Sequence, residues 1–131
     1  MYNVTCYSLS EDGGTNISHN FKVKEFKCND GSDPIFISSD LTYYLQKVRD
    51  HFGQPVIINS AYRTPEYNKK VGGAVKSQHM NGTAVDFYIK NVKPTTIRDY
   101  LETLVPYTCG IGVYPNFVHF DVRKKRTRWY G

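Results

Sequence analysis

The chain has 131 residues, with 17 lysines and arginines against 12 aspartates and glutamates, the size of a single domain with a net charge of +5. With 40% hydrophobic and 22% charged residues it falls in the globular range, which excludes a chain too polar to bury a core. No apolar run approaches the roughly 18 residues of a membrane span, and the opening MYNVTCYSLSEDGG has neither the basic nor the apolar region of an export signal, so none is expected.

Residues 1 to 20 are polar and glycine-containing and predict an arm packed on the domain, which begins near Phe21 and runs to residue 131. Asn29 to Pro34 is a dense turn signal. Ser39-Asp40 reads as the N-cap of a helix in which Leu41, Tyr44, Leu45, Val48 and Phe52 keep a helical period until Gly53. Pro55 to Ser60 predicts a buried strand, followed by a short helical turn from Pro65 to Lys70. A second strand is expected over Thr83 to Ile89, with Ala84, Asp86 and Tyr88 on one face and Val85, Phe87 and Ile89 on the other. Pro94 opens a helix carried by Ile97, Tyr100, Leu101 and Leu104, and two strands close the domain, Gly110 to Tyr114 and Phe117 to Arg123. Short strands mixed with helices predict an α+β fold.

Asp86 stands out, because a carboxylate in the middle of an apolar strand costs several kcal/mol (order of magnitude) unless a charge or hydrogen bonds compensate it. An arginine salt bridge would suffice. The sequence offers more: Asn81-Gly82 can fold His79 back to the start of that strand, and alternation over Phe117 to Arg123 sets His119, Asp121 and Arg123 on one face. Two imidazoles and a carboxylate can converge, the donor set of an open tetrahedral zinc site. A pair of core or surface histidines remains the plainer alternative. Cys6, Cys28 and Cys109 lack the spacing of a thiolate zinc site or a disulfide framework and read as free thiols, with a Cys6 to Cys28 pairing left open for a protein outside a cell.

The segments Ser60-Ala-Tyr-Arg63-Thr-Pro-Glu-Tyr-Asn68, Val71-Gly-Gly73, Ser77-Gln-His79-Met-Asn-Gly82-Thr-Ala84-Val-Asp86, Gly110-Ile-Gly112-Val-Tyr114 and Val118-His119-Phe-Asp121 closely resemble the D-alanyl-D-alanine carboxypeptidase-like zinc metallopeptidases, in order and in spacing. That family includes phage endolysin peptidases and shares the hedgehog/DD-peptidase fold, an antiparallel sheet flanked by helices. The resemblance implies His79, Asp86 and His119 as ligands of one Zn2+, the set that spacing also reaches. It implies Arg63 as the cation that stabilises the oxyanion, a task suited to a fixed guanidinium. Ser77 and Gln78, with Tyr62, are expected to line the substrate cleft.

The family pattern fails at one position. Many members carry Glu or Asp three residues before the last histidine as general base, and here it is Asn116. Asp121 shares the His119 face and is expected either to take the proton from the attacking water or to orient a histidine.

The expected activity is hydrolysis of an amide bond in peptidoglycan stem peptides, of the D-Ala-D-Ala carboxypeptidase or L-Ala-D-Glu endopeptidase type. The enzyme is expected to be a monomeric phage or prophage lysin that reaches the wall after release. The alternative is a catalytically inactive, zinc-stabilised module that binds peptidoglycan. The basic run Arg123 to Trp129 lacks a nucleic-acid motif and reads as a basic cleft rim, with Trp129 and Tyr130 capping the core or flooring the cleft, so no nucleic-acid partner is expected.

Overall fold

The computed structural model describes residues 3–131, so the first two residues of the expected arm lie outside the described residues. Strand β1 (Val4–Ser8) leads through a helical turn, α1 (Leu9–Asp12), to a small hairpin of β2 (Asn16–Ser18) and β3 (Phe21–Lys22). Next come β4 (Pro34–Ser38), α2 (Ser39–Phe52), β5 (Ile57–Ser60), α3 (Pro65–Lys70), a 3₁₀ turn (Gln78–Asn81), β6 (Ala84–Tyr88) and α4 (Pro94–Leu104). Strands β7 (Gly110–Val113), β8 (Val118–Asp121) and β9 (Thr127–Tyr130) complete the chain.

The fold is α+β. Five strands form the main sheet in the order β5-β6-β8-β7-β9, antiparallel except for β7 and β9, while β1 pairs with β4 in a separate ribbon. Alternation divides the main sheet into two faces. Val85, Phe87, Ile111, Val118 and Phe120 lie on one, fully buried in a single core with Leu41 and Leu45 of α2 and Ile97 and Leu101 of α4. Tyr44 meets the Phe120 ring at 5.8 Å. The opposite face carries Ser60, Asp86, His119, Gly112 and Trp129, which follow one another from strand to strand in a single row.

Several local expectations shift. The N-cap of α2 is Ser38, whose hydroxyl accepts from Leu41 N–H, because Ser39 already has helical geometry. Residues 34–38 form a strand where the turn signal hid one, since Ile35 and Ile37 pair with Tyr7 and Thr5 across a long sequence separation. Pro55 to Ser60 contributes β5, which is half-exposed instead of buried, because the strand order leaves it at the edge. The basic C-terminus supplies β9, which extends the sheet beside β7.

Candidate metal centre and cleft

His79 sits in the 3₁₀ turn before β6. The Ser77 hydroxyl accepts from His79 N–H at 3.2 Å to start the turn, and Gly82, at φ +73°, closes it with its N–H toward the His79 carbonyl. No other residue suits that position, since a Cβ there would both strain the backbone and collide with the Phe36 carbonyl. Gln78 braces the same turn by accepting from the Thr83 hydroxyl with its main-chain and side-chain oxygens, at 3.0 and 2.9 Å. The buried His79 ring then reaches under Ala61, whose carbonyl lies 2.7 Å from Nδ1. A carbonyl only accepts, so Nδ1 carries the proton and Nε2 faces Asp86 Oδ2, 3.3 Å away.

His119 is the cross-strand partner of Asp86, and its Nδ1 lies 2.9 Å from Asp86 Oδ1. On the far side of the ring, Nε2 meets Asp121 Oδ2 at 2.7 Å. Asp121 is fully buried (0% exposed) and is gripped by Arg123, which donates to it from Nε, Nη2 and the main chain at 2.7, 2.7 and 3.1 Å. Burial pushes the Asp121 carboxyl up, but hydrogen bonds from His119 and Arg123 outweigh it and hold the group at about 2. Burial likewise raises Asp86, and the hydrogen bonds and charge of His119 and His79 bring it well below the carboxylate range. Burial lowers His119, yet hydrogen bonds to Asp121 and Asp86 raise it overall.

Ligand atoms from His79, Asp86 and His119 all lie within 4.8 Å of one another. A carboxylate oxygen meets an imidazole nitrogen either through a proton on that nitrogen or across a shared cation, and these three groups are close enough for the second. With Nδ1 of His79 committed to a carbonyl and Nε2 of His119 to a carboxylate, the inward nitrogens are the ones left for a metal. Two imidazoles and one carboxylate, with outer nitrogens already fixed, fit zinc with an open fourth position.

The centre opens into a cleft of about 490 Å³ lined by Arg63, Ser77, Gln78, Tyr114, Arg123 and Trp129 among others. Arg63 is held over the site by three groups: Nε donates to Ser60 Oγ at 3.2 Å, Nη1 to Asn68 Oδ1 at 3.2 Å, and Nη2 lies 3.5 Å from Asp86 Oδ2. Trp129 leans on the His119 ring at 5.1 Å, lies under the Arg123 guanidinium at 5.5 Å and donates to the Tyr114 hydroxyl at 3.0 Å. The motif glycines make room for this. A Cβ on Gly112 would enter the Trp129 indole, and one on Gly110 would enter the Asp121 carboxylate.

The structure brings His79, Asp86, His119, Arg63, Ser77 and Gln78 to one cleft, with Asp121 behind His119. Tyr62, expected to bind substrate, is instead buried in the core (6% exposed) against the Phe36 ring. Its neighbour Arg63 turns the other way because its main-chain N–H is tied to the His79 carbonyl at 3.1 Å. Asn116 faces a separate depression, with Asn59 and Tyr88. Asn68, in the last turn of the six-residue α3 shortly before Gly72-Gly73, is a polar residue placed to anchor the following loop. The cysteines are free, with Cys28 and Cys109 buried and Cys6 exposed. No helix among the described residues is long and apolar enough to cross a membrane.

This fold and cleft belong to a known class. Residues 18–121 match the family described as Peptidase M15, and the chain belongs to that family of D-alanyl-D-alanine carboxypeptidase-like peptidases. Among curated proteins it is similar to the peptidoglycan L,D-endopeptidase MepK of Escherichia coli K12, of Escherichia coli O157:H7 and of Shigella flexneri. Each is 36% identical over 80 residues, covering 56% of this chain and 43% of the relative. The match thus spans less than half the length of those relatives.

Proposed function

We propose that the protein is a zinc-dependent peptidase that hydrolyses an amide bond of peptidoglycan stem peptides, with His79, Asp86 and His119 as the zinc ligands. The observation that carries this is the convergence of the three side chains with their outer nitrogens already engaged. When bound there, zinc supplies Lewis-acid polarisation of the scissile carbonyl and activation of water near neutral pH.

The chain's own residues supply the rest. Arg63, its guanidinium fixed by Ser60 and Asn68, is placed to hold the negative charge that develops on the carbonyl oxygen. Asp121 orients His119: its carboxylate lies on the Nε2 side of the ring, away from Asp86, with both oxygens occupied by Arg123. Ser77 and Gln78 build the turn that presents His79 and wall the cleft. Arg63, Lys76 and Arg123 give the cleft a positive lining, suited to a stem peptide with free carboxylates.

Similarity to L,D-endopeptidases favours an L,D-type amide bond over a terminal D-Ala-D-Ala bond. The site of action is the cell wall, in the manner of a phage or prophage lysin. The net charge of +5 favours approach to that anionic polymer.

Incubation with purified muropeptides followed by mass spectrometry tests the proposal. The expected result is cleavage at one type of stem-peptide bond, abolished by a chelator and restored by zinc. Asp86 is the only carboxylate among the described cleft-lining residues, and this supports one second reading, a zinc-stabilised module that binds stem peptides without cutting them. Bound zinc and bound but intact muropeptide would select it.

A further inference from the structure

We infer that Asn68 is a positioning residue that fixes the Arg63 guanidinium and the cleft loop of residues 71–76 through one buried amide. The inference rests on the oxyanion role proposed for Arg63. Asn68 is the buried residue of α3, 4% exposed, and both ends of its side chain are engaged: Oδ1 accepts from Arg63 Nη1 at 3.2 Å, and Nδ2 donates to the Ala74 carbonyl at 2.8 Å. Chemistry dictates that orientation, because a guanidinium only donates and a carbonyl only accepts.

The main chain repeats the link. Asn68 N–H donates to the Thr64 carbonyl and its own carbonyl accepts from Gly73 N–H, both at 2.9 Å. Gly73 packs directly on the pair, since a Cβ there would lie 2.9 Å from Arg63 Nη1 and overlap the Asn68 amide. The loop so anchored forms one wall of the cleft through Val71, Gly72, Gly73, Ala74 and Lys76.

Of the three groups that hold Arg63, Ser60 lies on the sheet and Asp86 is a ligand of the proposed metal. Only Asn68 joins the guanidinium to the wall that substrate must touch. Leucine would fill the space without either bond. Aspartate would keep the acceptor for Arg63 but set a carboxylate against the Ala74 carbonyl, so the two functions of the amide can be separated.

The test measures kcat and KM on a muropeptide that the native enzyme cleaves, with zinc content and melting temperature determined for each variant. Asn68→Ala should lower kcat by about 10-fold or more, the scale of one hydrogen bond to a charged group. Combining it with Arg63→Ala should lower kcat no further than Arg63→Ala alone, because the two act as a unit in turnover, while the loosened loop still raises KM. Asn68→Asp should keep kcat within a few-fold while raising KM, through the loosened loop. A native kcat in Asn68→Ala, or kcat losses that multiply in the double variant, would overturn the inference, whereas native turnover in Arg63→Ala would overturn the oxyanion role beneath it. Should Asn68→Ala fail to fold, Gly73→Ala displaces the same pair and must lower kcat in the same way. Nitrogen-15 relaxation of the Arg63 Nε–H gives a readout independent of turnover: its order should fall in Asn68→Ala and hold in Asn68→Asp, and unchanged order in the alanine variant would contradict the assignment.

Discussion

The two faces of the main sheet are made by the same strands and do opposite things. Toward α2 and α4, β6, β7 and β8 present Val85, Phe87, Ile111, Val118 and Phe120, whose stability comes from apolar area removed from water. Toward the cleft the intervening residues are Asp86, His119 and Asp121, where burial raises the cost of charge and only mutual pairing and hydrogen bonds offset it. A period of two lets one stretch of six or seven residues specify a core and a reaction centre at once. The rigid apolar side is what allows the polar side to be held in place.

The largest effect expected from breaking that division is on the apolar face. Phe120→Ala should remove about 3–5 kcal/mol of folding stability, measured by denaturant titration, while the folded fraction keeps its zinc. Arg63→Ala should do the reverse. Turnover falls by about two to three orders of magnitude, the usual cost of one oxyanion donor, while unfolding and zinc content stay native.

What could be read in advance follows from the same division. Alternation in Thr83 to Ile89 and Phe117 to Arg123 is a local signal that sets Asp86 apart from Val85 and Phe87 and sets His119 beside Asp121, while the face the two strands share comes from their pairing. Strand β4 was hidden because its partner, β1, lies some thirty residues earlier, and pairing at that distance leaves no local trace. Strand β9 was hidden by charge. Arg128 looks like a surface arginine, yet it faces α4, where Glu102 and the Cys109, Val105 and Thr108 carbonyls take up its donors. Trp129, between Arg128 and the exposed Tyr130, turns to the cleft because Gly112 leaves the space. Residues whose roles depend on a second element, such as Asn68, Gly110 and Tyr62, are assigned by packing and not by their own type.

Asp121→Asn sharpens the comparison at an intermediate scale. As an orienting group, its loss should weaken zinc binding by about 10-fold to 100-fold, with activity restored by excess zinc. A loss of turnover that excess zinc cannot restore would return the proton-transfer role to Asp121.

The smallest effect belongs to the Glu102 pair with Arg128 that fastens β9 to α4. The hydrogen bond from Arg128 lowers the Glu102 carboxyl below its ordinary value, more than burial raises it. A depressed folded value means that the stabilisation is fully present above the ordinary glutamate range and is lost as pH falls from there through the lower folded value. Glu102→Gln should therefore cost about 1 kcal/mol or less at neutral pH, and the difference should shrink as pH falls below the ordinary glutamate range and vanish only below the depressed folded value. Thermal melts across that range measure it.

The central claim is that Asp86 and His119 on the polar face, with His79 from the turn before β6, hold a metal, and its most direct measurement is the zinc content of the native protein beside His119→Ala. The account predicts about one zinc per native chain and little or none in the variant, with both chains folded because the apolar face is untouched. Equal zinc in the two would contradict the assignment of His119, Asp86 and His79 as the metal centre.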